Sequence, residues 1–198
     1  QGVSRRPPRL EKLLAQTQGP RPVAFVLAGH NGSGKSTLWY SRLAESLRMP
    51  LVNADRMMMS ILPDADPLTG RIPTWAERLR DDDERWQALS QKGVRAFKSL
   101  VMDQRMPFAF ETVFSHWKLL PGGGHASKAD DIRAMQEAGY FVVLLFVGLV
   151  SVDMSVFRVS TRKQQGGHDV ERKKLIERFP RTQAAVGHAT QIANMTLM

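Results

Sequence analysis

One short stretch limits what this chain can fold into more than any other. Residues Gly29, His30, Asn31, Gly32, Ser33, Gly34, Lys35 and Ser36 match G-x-x-x-x-G-K-[ST], a pattern expected by chance in about 1% of chains of this length. "PVAFVLAG" (22–29) precedes it, a β-branched and aromatic run ending at glycine, which reads as a buried strand. From about Gly34 to Leu47 the pattern turns helical. Tyr40, Leu43, Ala44 and Leu47 fall at i, i+3, i+4 and i+7 and give one apolar face, with Pro50 as the stop. Strand, loop and helix in that order form a phosphate cradle. Glycines let backbone N–H groups turn toward phosphate oxygens, and the helix N-terminus adds partial positive charge. Lys35 is placed to reach the β and γ phosphates and Ser36 to ligate Mg²⁺, so the nucleotide-binding set runs from Gly29 through Thr37.

The rest of the chain continues the alternation. "LVNAD" (51–55) is a short strand with a polar end, "RMMMSIL" (56–62) is helical with packing methionines, and "PDADPLTGRIP" (63–73) is a loop. A long helix spans about Asp82 to Arg105, with Trp86, Leu89, Phe97, Leu100 and Val101 on one face and Asp81, Asp82 and Asp83 as capping residues. "PFAFETVFS" (107–115) is a third strand and its outgoing loop. A glycine-rich loop and a helix ending at Gly139 follow. "YFVVLLFVGL" does not alternate, as expected of a strand buried on both faces. Ser151 or Asp153 caps a helix running to about Gln164, "GGHDV" breaks it, and helix resumes near Glu171. The fold class is therefore α/β: a P-loop NTPase-like three-layer sandwich around a mostly parallel sheet. A single domain is expected over 22–198, behind an N-terminal arm with a short helix over 1–21.

The 198 residues carry no cysteine, which excludes disulfides and cysteine-bound zinc. No apolar run reaches the roughly 20 residues of a membrane span, and the N-terminus has no signal-peptide core, so a cytoplasmic protein without a membrane partner is expected. The net charge is +9, which points to anionic partners. Residues 156–181 hold Arg158, Arg162, Lys163, Arg172, Lys173, Lys174, Arg178 and Arg181 against Asp169, Glu171 and Glu177.

A phosphate cradle leaves open whether phosphate is hydrolysed, transferred or sensed. The chain lacks the N-K-x-D of a GTPase and the apolar run ending in Asp-Glu of an ATPase motor. It offers Asp55 at the end of strand two and Glu111 at the end of strand three. Ligands of open parallel sheets bind at the carboxyl ends of strands, so both acids fall on the phosphate side. Such an acid can take the proton of an acceptor hydroxyl. Asp55 is the expected base, on the expectation that strand two neighbours the phosphate-loop strand. Glu111, Thr112 and Ser115 are candidates to hold the acceptor's hydroxyls, and arginines near the site to neutralise the transferred group.

Four segments together resemble the zeta-toxin family of P-loop kinases: "AGHNGSGKST" (28–37), "VNADRM" (52–57), "FAFETVFS" (108–115) and "RVSTRKQQGGHDVERKKLIERFPRT" (158–182). The resemblance runs from residue 23 to about 185, and the GGH form is similar to a broad bacterial branch. It implies ATP- or GTP-dependent phosphorylation of a small molecule, in characterised zeta toxins the 3-hydroxyl of a UDP-linked amino sugar. It implies Lys35 and Ser36 for phosphate and magnesium, Asp55 as base, Glu111 as the acid holding the acceptor, and Arg158 and Arg162 as candidates to grip the transferred phosphate. His168 recurs in the pattern as a candidate phosphate contact. An antitoxin that blocks the nucleotide site is the implied protein partner. Three positions depart from the pattern: His30 stands where proline is usual, Glu171 replaces a proline after the GGH segment, and "NMTLM" reads as only the start of a final strand. Two rival readings stand beside the kinase. One is a polynucleotide 5′-hydroxyl kinase, favoured by charge but not by the few aromatics among the basic residues. The other is a non-catalytic nucleotide-gated effector.

Overall fold

A computed structural model describes residues 15–164 and 170–198, with side chains left undescribed at 162–164. Among the described residues the strands are β1 (Val23–Gly29), β2 (Leu51–Val52), β3 (Phe108–Thr112), β4 (Trp117–Leu119), β5 (His125–Ser127), β6 (Phe141–Val147) and β7 (Met195–Leu197). The helices are α1 (35–47), α2 (Ala54–Met59), α3 (Thr74–Asp82), α4 (Glu84–Asp103), α5 (Ala129–Glu137), α6 (Val152–Gln164) and α7 (Arg172–Ala189). Five strands form one sheet in the order β2-β3-β1-β6-β7, every pair parallel. β4 and β5 make a separate antiparallel hairpin.

β1 is the centre of the sheet and all seven of its residues are buried. Its alternate residues feed two cores. Ala24, Val26 and Ala28 pack with Phe108, Phe110, Val142 and Leu144 beneath Val101 of α4, Ile132 and Met135 of α5, and Ala185, Val186 and Ala189 of α7. Val23, Phe25 and Leu27 face the other way, with Ala109, Val143 and Leu145, against Trp39, Leu43 and Leu47 of α1. The expected three-layer sandwich follows. No described helix is long and apolar enough to cross a membrane.

Strand order differs from the expectation that β2 neighbours β1. β3 lies between them, paired with β1 along its whole length and with β2 on its other side. The cause is burial. "FAF" of β3 is fully buried, which suits an interior strand, whereas β2 is two residues long and suits an edge.

Other differences are local. In α1 the helix widens into a π turn over Trp39–Leu43. At about 4.4 residues per turn, Trp39, Leu43 and Leu47 align at spacing four and enter the core. Tyr40, expected inside, is half-exposed beneath the Arg56 guanidinium, 4.4 Å from its ring centroid. The stretch after residue 73 holds the unforeseen α3. Asp83 ends it and caps α4, accepting from Arg85 N at 2.9 Å and Trp86 N at 3.2 Å. Leu89 and Leu100 of α4 are exposed, because the buried stripe runs instead through Val94, Phe97 and Val101. The β4–β5 hairpin adds two short strands, the second of them inside the glycine-rich stretch expected as a loop. "NMTLM" supplies β7, which pairs with β6. The first part of the expected N-terminal arm lies outside the described residues.

Candidate active site

The phosphate loop leaves β1 at Gly29 and enters α1 at Lys35. Gly34 caps α1 at φ 92° and ψ 18°, a left-handed conformation that favours glycine. At Gly29 a side chain would run into the carbonyl oxygen of Val147, on the neighbouring β6. Both glycines are therefore required by the backbone path. Lys35 is 6% exposed and its Nζ donates to the carbonyls of Gly29 at 3.1 Å and His30 at 2.9 Å. Within the loop, Ser33 Oγ and Asn31 Oδ1 are buried with no hydrogen-bond partner among the described residues.

Because β3 is β1's direct neighbour, Glu111 is the acid that reaches this loop. Its Oε2 accepts from Ser36 Oγ at 2.8 Å and from Asn53 Nδ2 at 2.7 Å, and its Oε1 stands 3.8 Å from Lys35 Nζ. Asp55 sits in the first turn of α2 after the edge strand. It is exposed, lines the same cleft, and has no hydrogen-bond or ion-pair partner among the described residues. The two acids are thus chemically distinct: one is bound into the phosphate loop, the other faces the cleft with its oxygens available.

The cleft encloses about 750 Å³. Its floor is the run Asn31 to Thr37, and Glu111, Thr112 and Ser115 line it from β3 and its loop. Thr112 Oγ1 also accepts from Phe114 N at 3.2 Å, within a turn where buried Phe114 adopts φ 64°. That conformation is costly for a bulky residue, and such strain concentrates at functional sites. The opposite wall comes from α4 and α5. Lys98 Nζ lies 3.3 Å from Asp131 and 4.5 Å from the centroid of the Phe110 ring. Burial pushes its ammonium below the usual lysine value, partly offset by Asp131. For Asp131, burial alone would raise the carboxyl, but Lys98 and Lys128 together outweigh it and hold it below the usual range. Arg95 and Lys128 also line this wall.

α6 docks onto the loop from above. Ser155 Oγ donates to Asn31 O at 2.8 Å, and Arg158 Nη1 approaches Gly32 O at 3.4 Å. Arg158 and Arg178 both line the cleft. The side chain of Arg162, and all of His168, lie outside the described residues. His30 is 2% exposed, stacked on Phe179 of α7 with centroids 4.0 Å apart and edge-on to Phe146. Burial lowers its pKa; the Phe179 backbone partly opposes this, and Lys35 adds to it. Neither ring nitrogen has a partner in hydrogen-bonding geometry among the described residues.

The structure thus gathers Lys35, Ser36, Asp55, Glu111, Thr112, Ser115 and Arg158 around one cleft. Sequence reasoning missed Asn53, Arg95, Lys98, Lys128 and Arg178 as lining residues. Asn53 carried a legible signal, a capping residue two places before Asp55. The helical cations carried none, since nothing local marks which basic residue on a helix faces a cleft.

A central parallel sheet, a phosphate loop on its middle strand and a carboxylate on the adjacent strand define a P-loop kinase fold. Among families, the zeta-toxin model, described as "Zeta toxin", matches residues 9–196. The chain belongs to the zeta-toxin family. A search of curated proteins finds no sequence match. Solved structures resemble it in fold. A chain of the AvrRxo1-ORF1:AvrRxo1-ORF2 complex with sulphate ions aligns with TM-score 0.62 and 18% identity, over 91% of this chain and 57% of that one. A chain from the PezAT chromosomal toxin–antitoxin system of Streptococcus pneumoniae aligns with TM-score 0.53 and 14% identity, over 89% and 71%. A chain of the Pnkp1/Rnl/Hen1 RNA repair complex gives 0.57 and 16%, over 88% and 48%. This chain therefore spans about half the length of two of these three.

Proposed function

We propose that the protein transfers the γ-phosphoryl group of ATP or GTP to a hydroxyl of a small anionic molecule. The observation that carries this reading is the division of labour between the two acids. Glu111 is committed to Ser36 and stands beside Lys35, while exposed Asp55 opens into the same cleft. In this reading the loop amides and Lys35 hold the β and γ phosphates. Asp55 accepts the acceptor hydroxyl's proton as its oxygen attacks phosphorus in line with the leaving diphosphate. Arg158 and Arg178, with Arg162 as a further candidate, neutralise charge on the transferred group.

The residues fit a magnesium ion carried in with the triphosphate. Ser36 Oγ and the Glu111 carboxylate form an all-oxygen pair at the loop, and Mg²⁺ takes few protein ligands beside substrate phosphates. Bound there, the ion would supply charge neutralisation for the transferred phosphoryl group.

The acceptor side is basic through Arg95, Lys98 and Lys128, against Asp131. That supports an anionic acceptor, and a UDP-linked amino sugar of the kind implied by the family is the first compound to try. Thr112, Ser115 and His168 are candidates for its polar contacts. The PezAT likeness supports an antitoxin as protein partner.

Untargeted mass spectrometry of a metabolite extract incubated with ATP and Mg²⁺ tests the proposal. One compound should gain a phosphoryl group with the unsubstituted protein. With Asp55→Asn its formation should fall about 10²–10⁴-fold while ATP still binds. Unchanged turnover in Asp55→Asn would refute the base assignment. Phosphorylation only of oligonucleotide 5′-hydroxyls would replace the small acceptor with a polynucleotide one.

A further inference from the structure

Asn53 uses both ends of one carboxamide. Its Oδ1 accepts from Arg56 N at 3.1 Å and so caps α2, whose first turn carries Asp55. Its Nδ2 donates to Glu111 Oε2 at 2.7 Å, the oxygen that also accepts from Ser36 Oγ at 2.8 Å. The side chain is 8% exposed, so neither bond has easy exchange with water. Ser90 Oγ donates to Ala54 O at 2.6 Å and pins the same turn from α4.

The two ends have different chemical requirements. A helix cap needs only a side-chain oxygen, and Asp or Ser caps about as well as Asn. The contact to Glu111 needs a donor, which Asp lacks and which Ser is too short to deliver while capping. An amide is the side chain of this length that satisfies both.

We propose that Asn53 is a positioning residue. It holds the Glu111 carboxylate against Ser36 and keeps the Asp55-bearing turn in register with it. Two donors on Oε2 restrict the rotation of Glu111 and leave Oε1 toward Lys35. The turn that carries Asp55 and the phosphate loop are thereby joined across β3 through the side chains of Asn53 and Glu111. This inference rests on the kinase reading for the meaning of that alignment, but its first readout does not need an acceptor.

The test compares Asn53→Ser and Asn53→Asp with the unsubstituted protein in three measurements: melting temperature, ATP affinity with and without Mg²⁺ by a fluorescent ATP analogue, and kcat once an acceptor is in hand. Both variants keep the cap. Asn53→Ser should melt about 3–12 °C below the parent, since the cap is retained but a bond to a charged acceptor worth about 1.5–3 kcal/mol is lost. It should lose about 10-fold of the extra ATP affinity that Mg²⁺ confers, with Mg²⁺-free affinity unchanged. Asn53→Asp also keeps the cap but meets Glu111 with an acceptor in place of the donor, so the Mg²⁺ increment should fall here too. Should either variant melt early, Asn53→Gln, which retains oxygen and donor on a longer stem, serves as the partial rescue. A parental Mg²⁺ increment in Asn53→Ser would overturn the proposal. Failure of the unsubstituted protein to bind ATP at all would overturn the kinase reading with it. Normal Mg²⁺-dependent binding with no acceptor found would fault only the latter.

Discussion

Replacing Glu111 by Gln keeps the shape of the side chain and removes its charge, so it isolates what the carboxylate does beside the phosphate loop. In the structure Oε2 accepts two hydrogen bonds, from Ser36 at 2.8 Å and Asn53 at 2.7 Å. Bonds to a charged acceptor contribute about 1.5–3 kcal/mol and neutral ones about 0.5–1.5 kcal/mol. If Gln keeps its oxygen toward these two donors, the loss is about 1 kcal/mol per bond. Its amide then points at Lys35 Nζ, which Oε1 faced at 3.8 Å. The gross attraction given up there is about 4 kcal/mol at an effective dielectric constant near 20, most of it cancelled by the desolvation both groups no longer suffer. A net destabilisation of about 2–3 kcal/mol follows, a fall of roughly 4–12 °C in Tm for a chain of this size. Binding should change in the opposite sense. A negative charge next to Lys35 opposes a triphosphate, so Mg²⁺-free ATP should bind more tightly to Glu111→Gln, while the increment conferred by Mg²⁺ disappears. Differential scanning calorimetry and titration calorimetry with and without Mg²⁺ read both effects. A parental Tm together with an intact Mg²⁺ increment would show that the carboxylate is not what joins the loop to the metal.

His30 has a lowered pKa and is buried neutral, so the unfolded chain binds the extra proton first. Stability should be full above about pH 6.5 and decline as pH falls through that value, and His30→Phe, which keeps the stack on Phe179, should flatten the decline and gain about 1 kcal/mol at pH 7; an unaltered pH–Tm curve would show that His30 is not its source. Asp131, held low by Lys98 and Lys128, contributes stability present above the usual carboxylate value near 4 and lost below it. Asp131→Asn should therefore cost about 1 kcal/mol at pH 7 and converge with the parent in acid, as checked by urea unfolding at several pH values. Gly29→Ala would drive a methyl group into the Val147 carbonyl, so ATP affinity should drop at least about 10-fold; retained affinity in a fluorescence titration would mean the loop can shift to admit it.

Much of this fold is legible in the sequence. β1, β3 and β6 stand out because runs buried on both faces do not alternate, and α6 and α7 fall close to where caps and breaks put them. Departures arise where a remote contact overrules a local pattern. Tyr40 satisfies the ideal helical period, yet the π turn puts Trp39 in the core beside Phe25, with ring centroids 6.4 Å apart. Leu89 and Leu100 fit an apolar face, but the side of α4 that meets the sheet is decided by the position of Phe110 and Ala54. The short α3 and the β4–β5 hairpin lack enough residues for a period to declare itself.

The candidate site divides in the same way. The identity of the phosphate cradle is a local matter: glycines at 29 and 34, a lysine and a serine at fixed offsets, and a buried strand before them leave the backbone little choice. That Glu111 rather than Asp55 meets Ser36 is not local. It depends on β3 entering between β2 and β1, and that order is chosen by which strand buries more apolar surface on both faces. The cations on the acceptor wall and the two-ended amide of Asn53 depend on the same choice, since each side chain joins the cleft only once the sheet has brought its element alongside the phosphate loop.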